Sequence, residues 1–387
     1  MKEISNRQSY LDWLRILSVA GVLFFHAAMP FVDEWEWHIR NSETSRLLLE
    51  FNFWLSRFRM PLLFFISGSV SYYMLQKKSG AAFIGLRFRR LLIPLVFGML
   101  VIIPPQVYLE RLTQGYSGSY LSFYSTVFTS GPYPEGNFSW HHLWFIAYLF
   151  VFDVVCTPLF VWMIKARGRY FLQKLNWLSH GKRIYLVCLP SVFIYSALYF
   201  KYPETNNLVH DWGRIFYWLL FLLAGFVCIA NPLLPESLQR NRRFSLAIAL
   251  LSYIIITCIR WNDTEPWNFI ENWKTDFRTY LYIGLWGITA WAWMFAAVGY
   301  GKQYLNRRAK ILDYINPAVY PFYILHQTVI VLLAYFVVKT SDSVLMKYLF
   351  TSVLSFFLTI IIFHLFIRPF AITRFLFGMK KGAGNKE

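Results

Sequence analysis

The sequence predicts an all-α integral membrane protein with about ten transmembrane helices and both termini in the cytoplasm. Three observations carry this reading. Of the 387 residues 57% are hydrophobic and only 15% charged, with a mean hydropathy of +0.41, which is too apolar for a soluble chain of this length. Apolar stretches long enough to cross a bilayer, for which about 20 residues suffice, recur ten times. Basic residues collect in every second connection, as cytoplasmic loops do.

The ten stretches are Leu11–Val32, Phe51–Leu75, Leu91–Leu109, Leu143–Ile164, Ile184–Phe200, Ile215–Ala230, Phe244–Ile259, Tyr280–Tyr300, Pro317–Val338 and Val344–Ile367. The first could pass for a signal peptide. It lacks a small-residue cleavage site before Asp33–Trp37 and carries a histidine, so it reads as a membrane helix. Lys77, Lys78, Arg87, Arg89 and Arg90 fill the second connection, and Lys165, Arg167, Arg169, Lys174, Lys182 and Arg183 the fourth. Arg240, Arg242 and Arg243 mark the sixth, and Lys302, Arg307, Arg308 and Lys310 the eighth. The tail carries Arg368, Arg374, Lys380, Lys381 and Lys386. Odd connections are mixed or acidic, as in Asp33–Glu36 and Asp263–Asp276. The expected organisation is one polytopic domain over 1–387, with a membrane core at 10–368 and a basic cytoplasmic tail at 369–387.

The formal charge of +18 is spread between apolar segments rather than held in one block, so the partner it implies is the lipid bilayer and not nucleic acid. Cys156, Cys188, Cys228 and Cys258 each fall in a different apolar run, which argues against a disulfide framework or a zinc site, and no metal is expected. The long outer connection Glu110–His142, rich in Gly, Ser and Tyr, is expected to form a lid or re-entrant cap.

Against this apolar background the ionisable groups stand out. The first helix has Asp12 and Arg15 at its polar edge and His26 at mid-depth. A buried ionisable side chain in a membrane is costly and marks function by default. Eleven residues make about three turns and about 16 Å, so Arg15 and His26 share one face. The second helix carries Arg57 and Arg59 near its outer end, Pro61 at a candidate kink, and the pair Ser67–Gly68, which permits close helix approach and offers a hydroxyl. Arg87 and Arg90, three apart, enter the third helix; they read equally as topology signal or as an anion site. His326 shares a face with Tyr320 and Tyr323 and reads equally as a packed hydrogen-bonder or a site residue. His141 and His142, beside Trp140 and Trp144, read as interfacial, and His364 as structural.

Neutral histidine is the usual general base near physiological pH, and arginines bind phosphate bidentately. A donor with a phosphorylated head and a long thin arm suits that layout, and a coenzyme A thioester has that shape. Its phosphates would rest on the arginines while the pantetheine reaches inward to His26. The same groups would also serve a transporter of acyl chains or glycans, with His26 relaying protons. A third reading is a structural partner of a glycan polymerase.

The motifs themselves resemble the membrane-bound acyltransferase family 3. Arg15 and His26 match its arginine, ten residues, histidine; Phe64, Ser67 and Gly68 match its Phe, two residues, Ser-Gly; Arg87 and Arg90 match its arginine, two residues, arginine. Tyr10–Leu11–Asp12, His142–Leu143–Trp144–Phe145 and Tyr323–Ile324–Leu325–His326 look similar too. Trp37–His38, Asn41–Ser42–Glu43 and Phe58–Arg59–Met60 resemble the branch that succinylates periplasmic glucans. The resemblance spans all ten stretches. It implies a multi-pass protein of the bacterial inner membrane, O-acylating an extracytoplasmic glycan from cytoplasmic acetyl-CoA or succinyl-CoA, with no bound cofactor. His26, Asp12, Ser67 and His326 would be the catalytic set, with His26 as base or as transiently acylated nucleophile. Arg15, Arg87 and Arg90 would hold the donor. The sequence lacks the C-terminal esterase-like domain that some members carry, so a second transfer step is expected to need a partner or not to occur.

Overall fold

The computed structural model describes residues 8–380; the expected basic residues Lys381 and Lys386 lie outside them. The described residues are almost wholly helical, and the one β-bridge among them, between Pro132 and Phe138, is isolated. The principal helices are α1 (Ser9–Ala28), α2 (Arg46–Leu75), α3 (Gly80–Thr113), α4 (Trp144–Ile164), α5 (Arg183–Leu198), α6 (Trp212–Ala230), α7 (Arg242–Trp261), α8 (Phe277–Tyr304), α9 (Lys310–Val337) and α10 (Val344–Ile367). Eight of them are long and apolar enough to cross a membrane. The other two expected spans are also helical. Arginine and glutamate lower the hydropathy of the 30-residue α2, and α5 is short.

Local chemistry explains the irregular places. α1 closes in a 3₁₀ turn, Met29–Phe31, with Pro30 near its start. α3 is broken by two π turns, Phe88–Leu92 and Gly98–Ile102, each followed within two residues by proline. Pro94 and Pro104 have no N–H for the i−4 carbonyl, and the ladder relaxes around them, as in the Ile103 N–H to Gly98 carbonyl bond of 2.9 Å. Pro61 lies inside α2, which runs on through it.

α10 shows why this fold belongs in lipid. Tyr348, Ser352, Ser355 and Thr359 are buried at helical spacing, and Lys347 beside them donates to Asn41 Oδ1 at 3.0 Å. Leu345, Phe350, Val353, Phe357 and Ile361 are each 47–59% exposed on the other face. Hydroxyls inside and apolar chains outside reverse the pattern of a water-soluble helix.

The chain forms two compact units. The first comprises the described residues up to Ser18, Arg57–Ile84 and Val151–Ala309; the second comprises Val19–Ser56, Gly85–Phe150 and Lys310 to the last described residue. In the first unit α8 packs on α5 and α7. Here the expected close approach at Ser67–Gly68 is found: a Cβ on Gly68 would strike the backbone carbonyl of Leu222 in α6, and one on Gly225 that of Phe65. In the second unit α9 packs along α10 and the C-terminal part of α3. Gly68→Leu should lower the melting temperature of the purified protein by at least about 5 °C, because no rotamer can clear a backbone carbonyl. Gly21→Ala, whose Cβ would meet Leu55 Cδ2 at an ordinary 3.5 Å, should leave it unchanged or slightly raised.

Candidate active site

His26, in the last turn of α1, is buried in the second unit. Asn52 of α2 donates from Nδ2 to the Phe25 carbonyl at 3.0 Å, satisfying one of the C-terminal carbonyls that a helix leaves open and fixing the backbone beside His26. The His26 ring stacks on Trp37 and on His326, with centroids 5.3 and 5.1 Å away.

The hydrogen bonds around His326 assign the proton positions. His326 Nδ1 lies 2.7 Å from the Tyr323 carbonyl, which can only accept, so Nδ1 carries the hydrogen. In a neutral ring Nε2 must then accept, and its partner at 2.8 Å is His26 Nδ1. His26 therefore donates from Nδ1 and holds its basic lone pair on Nε2. One backbone carbonyl thus sets the tautomers of two side chains.

A third histidine completes the cluster. His141 adopts φ 37°, in the left-handed region that histidine rarely occupies, and opens the 3₁₀ turn His141–Leu143 ahead of α4. That turn drops His142 inward. His142 Nε2–H donates to the Ile324 carbonyl at 3.0 Å, and its own carbonyl accepts from the Tyr323 hydroxyl. Its ring stands edge-on to His326 at 5.2 Å and to His26 at 6.3 Å. The reading of His141 and His142 as interfacial is thus corrected: both pack in the second unit's polar interior, and His142 is 5% exposed. Flanking tryptophans suggested a membrane-surface position, but the turn at His141 overrides it. His142 Nδ1 and Trp37 Nε1 are buried with no hydrogen-bond partner among the described residues, one an acceptor and the other a donor, beside His26.

Next to this cluster lies a second polar group, of which the sequence reading had named His38 only within a branch resemblance and Glu110 only as the start of a connection. His38 Nδ1 pairs with Glu110, both buried. Glu110 was expected to open the long outer connection. Instead α3 continues to Thr113, which carries Glu110 inside. Gln327 Nε2 reaches Gln106 Oε1 at 3.0 Å, and Gln106 Nε2 donates to Thr328 Oγ1 at 2.6 Å. The Tyr133 hydroxyl donates to Glu110 Oε1 at 3.1 Å, and the Tyr133 ring packs on His141 at 4.7 Å. Tyr133 belongs to the 131–140 segment, which Arg111 gathers through Asn137 Oδ1 and the Gly136 carbonyl, each at 2.9 Å. A histidine followed 72 residues later by a glutamate is no recognisable motif. The sequence signals were the Trp37–His38 resemblance and one carboxylate at the end of an apolar run, with nothing to pair them.

The other expected site residues sit as follows. Asp12 pairs with Arg15 at 3.6 Å, one turn along α1, in the first unit. It lies fourteen residues, about 21 Å along the helix, from His26, so it does not orient that ring; His326 does. Ser67, also in the first unit, donates to the Leu63 carbonyl at 2.8 Å. Arg87 and Arg90 belong to the second unit. Arg87 is 7% exposed within electrostatic reach of Tyr320, and the half-buried Arg90 lies within the π turn Phe88–Leu92 that follows it. Arg89 points outward over the Phe375 ring at 5.9 Å. His364 bonds the Tyr314 hydroxyl. Among the described residues, no group of three His, Cys, Asp or Glu side chains is placed to hold a metal ion.

Tyr133 yields a pH test. Burial, and then the adjacent Glu110 carboxylate that accepts its proton, push its phenol well above the ordinary range. A raised folded-state value means that its stabilisation is complete below about pH 10, the unfolded value. It is lost as pH rises further, because only the unfolded phenol ionises there. Tyr133→Phe should cost about 1–3 kcal/mol at pH 8, and the gap to wild type should close as unfolding is followed from pH 9 to pH 11.

Comparison with known proteins agrees with this architecture. The acyltransferase family 3 model, described as an acyltransferase domain, matches residues 8–364. Glucans biosynthesis protein C of Escherichia coli O1:K1 is 24% identical over 347 residues, covering 83% of this chain and 82% of the relative. The same-named protein of strain K12 is 24% identical over 345 residues with the same coverage. No solved structure matches the chain. With the family match running through α1 to α10 and the histidine cluster within it, the chain belongs to acyltransferase family 3 and is a multi-pass membrane acyltransferase.

Proposed function

We propose that this protein moves an acetyl or succinyl group from cytoplasmic acyl-CoA to a hydroxyl of an extracytoplasmic glycan, in the bacterial inner membrane. The observation that carries the chemistry is the Tyr323–His326–His26 chain, which fixes His26 with its basic nitrogen at Nε2. In the reaction His26 Nε2 takes the proton of the acceptor hydroxyl as its oxygen attacks the thioester carbonyl. Collapse of the tetrahedral intermediate breaks the C–S bond, and the departing thiolate receives that proton, so the ester and free CoA thiol account for every atom. His326 is a positioning residue: it holds the ring and accepts the Nδ1–H bond, which strengthens when His26 is charged. The Trp37 Nε1–H suits the developing oxyanion, and His142 Nδ1 suits a donor group of the incoming acceptor.

In the second unit Arg87 and Arg90 would bind phosphate of the CoA donor, whose chemistry matches guanidinium forks; Arg15, paired with Asp12 in the first unit, is a further donor-binding candidate. Ser67 would help place the substrate through its lone pairs, its proton being committed to Leu63. The alternation of basic connections supports ten crossings with both termini cytoplasmic, which puts the arginines on the donor side. The name of the Escherichia coli relatives supports a glucan as acceptor. Family membership favours group transfer over the transport reading.

In membranes supplied with radiolabelled acyl-CoA and acceptor glycan, His26→Ala should lower transfer by about 10²–10⁴-fold. His326→Ala should lose about 10²-fold with an altered pH–rate profile, and His326→Gln should recover part of it, because the amide oxygen can accept from His26 Nδ1. Wild-type turnover by His26→Ala would exclude the mechanism.

A further inference from the structure

The first unit contains a cavity of about 270 Å³, at the small end of ligand sites, between the chain that follows α5 and the chain that precedes α8. Its walls are aromatic. Tyr195, Tyr199, Phe200 and Trp273 follow one another edge to face: Tyr195 to Tyr199 at 5.4 Å, Tyr199 to Phe200 at 4.9 Å, Phe200 to Trp273 at 5.0 Å, all near perpendicular. Between these rings stands one ion pair, Arg214 with Glu204. Arg214 also lies over the Tyr195 ring at 5.1 Å. Lys274 closes the rim, over Trp273 at 5.2 Å.

The lining narrows the ligand class. Glu204 pairs with Arg214, so the wall offers a guanidinium–carboxylate pair with the single ammonium of Lys274 at its rim rather than a cluster of unpaired cations. A cation would meet Arg214 and Lys274. A purely apolar molecule would leave donors and acceptors on the wall without partners. A pyranose ring answers both halves. Its C–H faces lie against aromatic rings, while its hydroxyls, donors and acceptors at once, meet the guanidinium and the carboxylate. Glu204, Arg214, Trp273 and Lys274 fall in the fifth and seventh connections, and Tyr195, Tyr199 and Phe200 in the C-terminal part of the fifth stretch, the end that the charge pattern turns outward.

We propose that this cavity binds a sugar ring of a neutral glycan and so holds the acceptor. The role as acceptor site rests on the function proposed above; the binding itself does not. The test uses full-length protein in lipid nanodiscs, free of sugar-headed detergent, titrated calorimetrically with glucose tetrasaccharides of β-1,3, β-1,4 and α-1,4 linkage. Wild type should bind at least one of them saturably. Trp273→Ala and Tyr199→Ala should bind at least tenfold more weakly, Tyr199→Phe should bind like wild type because the ring is kept, and His26→Ala should bind normally while losing transfer. If Trp273→Ala melts early, Trp273→Gln, which keeps bulk without a ring, should show the same loss. Absence of saturable binding to all three sugars, or undiminished binding by the folded Trp273 variant, overturns the proposal. Acyl transfer by wild type without sugar binding would discard the cavity alone. Sugar binding without transfer would discard the glycan acyltransferase reading and leave the cavity standing.

Discussion

The hydrogen bond from His26 Nδ1 to His326 Nε2 is the constraint from which the site follows. Two neutral imidazoles in an apolar interior fit together when one donates to the other, whereas paired imidazoliums would repel and a desolvated charge is costly. The Tyr323 carbonyl breaks the symmetry between the two possible arrangements by demanding a proton on His326 Nδ1. Everything around the pair serves to hold this geometry. Asn52 ties down the end of α1, Trp37 and Phe322 sandwich the rings, and His142 is anchored at Ile324 and Tyr323.

The same logic of satisfied polar groups in an apolar medium runs through the rest of the second unit. Lys347 reaches Asn41, Gln106 reaches Thr328, and Glu110 receives His38 and Tyr133. Each joins residues far apart in sequence, so the buried polar groups also specify which helices meet. In the first unit that role falls to backbone approach: Gly68 and Gly225 let α2 and α6 touch at their carbonyls, where any side chain would intervene.

What could be read from sequence was what is local. Each span announces itself by its own residues, and His26 stood out because one ionisable group interrupts an apolar run. Gly68 was legible for the same reason, as a small residue in a helix. The contacts were not legible from spacing; His326 entered the expected catalytic set through the family resemblance alone. His326 lies 300 residues from His26, and Glu110 lies 72 from His38, with no spacing to link them. Asp12, expected in the catalytic set from the family motif, pairs with Arg15 one turn along α1 at 3.6 Å. His142 read as interfacial because its tryptophan neighbours do suit an interface; the left-handed backbone at His141 turns it inward.

The most direct test is ¹⁵N solid-state NMR of histidine-labelled protein in lipid bilayers at pH 7, with the His26 and His326 signals assigned by difference from the His26→Asn and His326→Asn proteins. Both rings are expected to be neutral and protonated at Nδ1, with His26 Nε2 carrying the lone pair. A His26 protonated at Nε2, or an imidazolium on either residue, would contradict the proposed catalytic arrangement.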